Sequence, residues 1–159
     1  MSGDTLHRAR PGRTGTVDPV EGDVRLLRRV GVAAVGYLLG AAALAMVLRW
    51  PGQFAGPGAG ERIVAEALTR GTALSPPLPL VLVLASALWL ATRRHAGYGL
   101  GCTLLVLLSM AFIICGLGEA MVPVTQDVPR AALVLSGAVS TVLVGAVVVT
   151  AVQRFLAGR

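Results

Sequence analysis

The chain has no lysine and no asparagine, and all 14 of its basic residues are arginine. Charged residues make up only 14% of the sequence, against the roughly one quarter usual for a soluble domain. That shortage excludes an ordinary water-facing surface around a globular core. Aromatics are also few, with two Trp, two Tyr and three Phe. Most stand at the ends of apolar runs, so no stacking platform for bases is present. The net charge of +6 is therefore not read as nucleic-acid binding.

Cysteine is limited to Cys102 and Cys115, with no CxxC. On one helix the two would stand about 20 Å apart, too far to bridge, and both read as small buried apolar residues. No P-loop, HExxH, GxSxG or zinc-ligand spacing occurs. No Lys, Arg, His or Asp falls inside an apolar run. The mid-span carboxylate of four-span drug exporters and the CxxC of quinone-linked thiol oxidoreductases are both missing. The chain shares only an expected helix count with either. Catalytic residues, bound metal and cofactor are all expected to be absent.

What the chain does have is long apolar segments; 55% of its residues are hydrophobic. The longest, Tyr98 to Val122, has no charge until Glu119 and carries a GxxxG at Gly97 and Gly101. It is long enough to cross the roughly 30 Å hydrocarbon core of a bilayer as a helix. Three more runs accompany it, giving expected spans at 30–48, 75–92, 98–122 and 131–152. The fold class expected is all-α, a four-transmembrane-helix bundle in one domain over 18–159.

Residues 1–17 are polar and rich in Gly, Arg and Thr, which reads as a disordered tail. Asp18-Pro19-Val20-Glu21 then has the form of a helix start. Arg25, Arg28 and Arg29 lead into the first span, which Arg49-Trp50-Pro51 closes. Within it, Ala33, Gly36, Gly40 and Ala43 form a stripe of small residues expected to pack against another helix. The connection that follows carries ERIVAEALTR, expected as a short outer-loop helix over about 60–70 ended by Gly71. Ser75 is the expected cap of the second span, with Pro76, Pro77 and Pro79 in its first turn. Asp127 and Pro129 are placed to begin the fourth.

Arginine asymmetry sets the expected orientation. One side of a four-span arrangement would hold Arg8, Arg10, Arg13, Arg25, Arg28, Arg29, Arg93, Arg94, Arg154 and Arg159. The other would hold Arg49, Arg62, Arg70 and Arg130, balanced by Glu61, Glu66, Glu119 and Asp127. The positive-inside rule then makes both termini cytoplasmic in a bacterial plasma membrane.

Candidate binding residues are Glu119, Arg130, Arg49 and Tyr37. Glu119 is the only acid inside an apolar run, and below the headgroups it would need Arg130 or Arg49 as partner. The Tyr37 hydroxyl lies about 12 Å into the first span, where it is expected to bond a neighbouring helix, the alternative being that it lines a ligand cavity. The function expected from this inventory is a non-enzymatic accessory or interaction protein. Its partners would be the lipid bilayer and a membrane protein or a second copy. The alternative is a small transporter or ligand-binding subunit with an outward-facing site near Glu119.

Overall fold

The computed structural model describes residues 19–50, 62–93, 97–121 and 128–157, and within α4 it describes side chains as far as residue 116. The expected tail over 1–17 lies outside the described residues. The chain is all-α, with α1 Pro19–Val47, α2 Ile63–Thr69, α3 Leu78–Ala91, α4 Tyr98–Met121 and α5 Arg130–Ala157. Three stretches are long and apolar enough to cross a membrane: Gly22–Val47 in α1, Tyr98–Gly116 in α4 and the whole of α5. Their length and composition mark the protein as membrane-embedded. Exposed leucines and valines such as Val32, Leu82, Leu107, Val134 and Val142 suit that surround, because lipid tails are as apolar as they are.

The helices run up and down. Each of α1, α3, α4 and α5 touches two of the others, in the cyclic order α1–α3–α4–α5. At one end, here the basic end, the start of α1 meets the end of α3 and the start of α4 meets the end of α5. Leu27, Ala34 and Leu38 of α1 pack there with Leu84, Leu88 and Ala91 of α3, Cys102 and Leu105 of α4, and Val147 and Ala151 of α5. At the opposite end, Ala41 and Ala45 pack with Ala73, Leu74 and Val128.

The face that α1 buries is not the one its small-residue stripe suggests. Leu27, Gly31, Ala34, Leu38, Ala41, Ala42 and Ala45 point inward, whereas Ala33, Gly36, Gly40 and Ala43 are all exposed. A Cβ added at Gly36 or Gly40 would meet nothing within 4 Å. Among the described residues, the stripe therefore does not pack against another helix. Its companion, one residue and about 100° around the helix, does. Small residues line both faces of α1, and only the inner one interleaves them with Leu27 and Leu38, which supply the buried apolar surface.

Close helix approach occurs instead at α3 and α4. A Cβ on Gly101 would land on the backbone N and Cα of Ala91. The glycine at the second position of the GxxxG thus seats α4 directly on the α3 backbone. Cys102 is buried as expected, but Cys115 is exposed; both are free thiols.

The start of α3 also departs from expectation. Ser75 does not cap the helix; Pro77 occupies that position with φ −49° and ψ 133°, and α3 has 14 residues, about 21 Å. The cause is the run Ser-Pro-Pro-Leu-Pro. Pro76 and Pro77 push their predecessors toward extended backbone, so Ser75 and Pro76 do not enter the helix. Ser75 closes a tight turn instead, where the Thr72 N–H donates to the Ser75 carbonyl at 2.8 Å and the Ser75 N–H returns to the Thr72 carbonyl at 3.4 Å. Thr72, Ala73, Leu74 and Ser75 are all buried. Gly71, at φ +84°, ends α2 and feeds this turn.

α1 closes differently. The Trp50 N–H donates to the Ala45 carbonyl at 2.9 Å and the Arg49 N–H to the Met46 carbonyl at 3.2 Å, a Schellman pairing. Arg49 takes the left-handed position at φ 55°, where glycine is usual. Arg49→Gly is therefore expected to raise stability by about 1 kcal/mol, seen as a higher midpoint in thermal unfolding in detergent. A lower midpoint would show that the arginine side chain holds this corner.

Candidate functional site

Among the described residues, buried polar side chains are few, and two groups of them join separate helices. The first is at the α2 end. The Tyr37 hydroxyl, half-buried on α1, donates to Ser136 Oγ on α5 at 3.0 Å. Ser136 Oγ donates onward to the Leu74 carbonyl in the buried turn at 3.4 Å. Ser140 Oγ caps the Ser136 carbonyl at 2.7 Å, one turn back along α5. A three-part relay thus ties α1, α5 and the turn before α3. Tyr37 was a sequence candidate, and the structure gives its hydroxyl a helix–helix partner rather than an open cavity. Each such bond contributes on the order of 1 kcal/mol, and its greater value is to satisfy a turn carbonyl that would otherwise be buried alone.

The second group is at the basic end. Arg154, in the last turn of α5, is 4% exposed. Its guanidinium carbon lies 5.3 Å from the ring centre of Tyr98, the first residue of α4. Its Nε has no hydrogen-bond partner. Two residues past the end of α3, Arg93 stacks over the exposed Trp89 ring at 3.8 Å. Sequence reasoning counted Arg154 only as one positive charge among ten, because its contact with Tyr98 spans α4 and α5 and has no local signature. A signal was there in the spacing: Val147, Thr150, Ala151 and Arg154 follow a helical period, which puts Arg154 on the buried face of α5.

The remaining candidates do not assemble into a described site. Glu119 belongs to α4, but its side chain lies outside the described residues, so its pairing with Arg130 or Arg49 does too. Arg130, the first residue of α5, and Arg49 are both exposed. Ala33, Gly36, Gly40 and Ala43 line the outer face of α1 described above. Among the described residues, no three His, Cys, Asp or Glu side chains come together as a metal site would require.

Two concavities among the described residues are shallow and apolar. One lies on the outer side of α3 against Leu82, Ala85, Ser86, Trp89 and Leu90. The other, about 180 Å³, runs between α4 and α5 and is lined by Cys102, Thr103, Val106, Leu107, Val152 and Phe155. Neither reaches the Tyr37–Ser136 relay. The chain matches no protein-family model, no curated protein and no solved structure.

Proposed function

We propose that this protein is a four-span accessory or interaction protein of a bacterial plasma membrane, without catalytic activity of its own. The observation that carries this reading is the filled interior. Leu27, Leu38, Leu84, Leu105 and Val147 occupy the centre, and the mid-helix hydroxyl of Tyr37 is spent on joining helices. A transporter places ionisable or solvated groups along a path through the midplane. A closed apolar interior instead leaves the outer helix faces as the working surface.

In this reading α3 together with the buried turn before it makes the fourth crossing. The turn is tolerated at membrane depth because protein, not lipid, surrounds it. The arginine-rich end, with Arg25, Arg28, Arg29 and Arg93, faces the cytoplasm together with both termini. α2 then lies on the outer side, with Val64 and Leu68 exposed toward the membrane surface.

Reporter fusions at residues 55, 96, 126 and 159 are expected to alternate outside, inside, outside, inside. A periplasmic report at residue 159 would reject four spans. The accessory role is tested by introducing cysteine at Gly40 in a background lacking Cys102 and Cys115, then oxidising intact membranes. A discrete cross-linked species, either a second copy or one membrane protein, is the expected product. No adduct there or at other exposed sites such as Val32 and Val142, combined with solute flux in proteoliposomes, would favour the transporter instead.

A further inference from the structure

Among the described residues, Arg154 keeps one buried N–H without an acceptor. A guanidinium taken out of water needs acceptors for its five N–H donors or a neighbouring negative charge. Arg154 is 4% exposed, yet its Nε has no acceptor. The Tyr98 ring offers a cation–π contact at 5.3 Å, and the carbonyl end of α5 offsets part of the charge. Neither gives the planar fork of acceptors that an arginine binds best. The amino end of α4 adds more positive potential at the same place.

The surroundings indicate what would complete it. Tyr98 and Cys102 are one turn apart on the same face of α4, and Cys102 begins the apolar groove between α4 and α5. Phe155, adjacent to Arg154, forms the opposite wall, its ring edge 3.7 Å from where a Cβ on Gly99 would stand. From Cys102 the groove continues past Thr103 and Val106 to Leu107, following the helices toward the middle of the membrane. A buried cation next to a shallow apolar groove, with Phe155 and Cys102 as the neighbours that line it, matches an anionic phosphate joined to an acyl chain.

We propose that Arg154 and the α4–α5 groove hold one acidic glycerophospholipid, its phosphate on the guanidinium and one acyl chain along Cys102, Val106 and Phe155. The site rests on the membrane-embedded reading but not on the accessory role, so the two fail separately.

The test is thermal unfolding of delipidated protein in detergent, with phosphatidylglycerol, phosphatidylcholine of the same chains, or inorganic phosphate added. Phosphatidylglycerol is expected to raise the midpoint by several degrees more than phosphatidylcholine, with inorganic phosphate giving no comparable shift. Native mass spectrometry should show one retained phosphatidylglycerol per chain. Arg154→Met should remove the preference, weakening binding roughly tenfold or more, and Arg154→Lys should restore part of it. Thr103→Trp, which fills the groove from an exposed position, should also reduce it, and this variant decides the matter if Arg154→Met fails to fold. Arg28→Gln combined with Arg29→Gln should leave the preference in place. Equal shifts from both lipids, a preference that survives Arg154→Met or Thr103→Trp, or one lost with Arg28 and Arg29 would overturn the site. A full shift from inorganic phosphate alone would assign Arg154 to a soluble anion and overturn the lipid.

Discussion

Gly101→Leu is expected to drive α3 and α4 apart and to cost about 3 kcal/mol or more, enough to prevent accumulation of folded protein at moderate temperature. The reason is what the new side chain would meet. A Cβ at this position falls on the Ala91 backbone and lies 2.8 Å from the Leu90 carbonyl carbon, and backbone cannot rotate aside as a side chain can. Gly31 makes a useful contrast, because the atoms near its Cβ position belong to the end of the Leu88 side chain. Gly31→Ala should be accommodated by a rotamer change of Leu88 at smaller cost. Gly40→Leu should change the stability of the isolated protein by no more than about 0.5 kcal/mol, since nothing lies within 4 Å of that position. Unfolding midpoints for the three variants in one detergent provide the comparison. A Gly40→Leu protein as unstable as Gly101→Leu would mean that α1 is turned differently in solution.

Gly71→Ala is the second substitution with a large expected effect, about 2–3 kcal/mol. Two costs combine there. The φ of +84° is one that alanine adopts only under strain, and the added Cβ would stand 2.8 Å from the Ser75 carbonyl oxygen and 3.0 Å from the Pro77 nitrogen. That carbonyl is already the acceptor for the Thr72 N–H, so moving it breaks the turn that leads into α3. The expected result is a lower midpoint together with faster proteolysis near residues 71–77. Gly116→Ala is the control: it lies in mid-helix with nothing within 4 Å of its Cβ position, and alanine there should be neutral or stabilising. An unperturbed Gly71→Ala protein would show that the buried turn is not held as described.

Elements whose cause is local were legible in the sequence. Pro19 begins α1, Gly71 follows α2, and the apolar run from Tyr98 gives α4 Tyr98–Met121 almost to the residue. What was not legible depends on contacts between distant segments. α1 carries small residues on two adjacent faces, and composition alone does not say which is turned inward. The prolines at 76, 77 and 79 are each acceptable near a helix start, yet in succession they leave no residue before Leu78 free to enter one. Arg154 was counted as an orientation charge because nothing near it in the sequence shows that Tyr98 will cover it. Tyr37 was singled out for its depth alone; its acceptor, Ser136, lies 99 residues further on.

The turn over Thr72–Ser75 has a consequence for how the chain is built during synthesis. Its polar backbone is shielded by α1 on one side and by Ser136 of α5 on the other, and α5 is made after α3 and α4. Until then α3 is a short, weakly autonomous segment whose leading edge has no finished protein around it. α1 and α4 can partition into lipid on hydropathy alone. α3 gains its full surroundings only once α5 has docked, so a helix made later completes the seat of an earlier one.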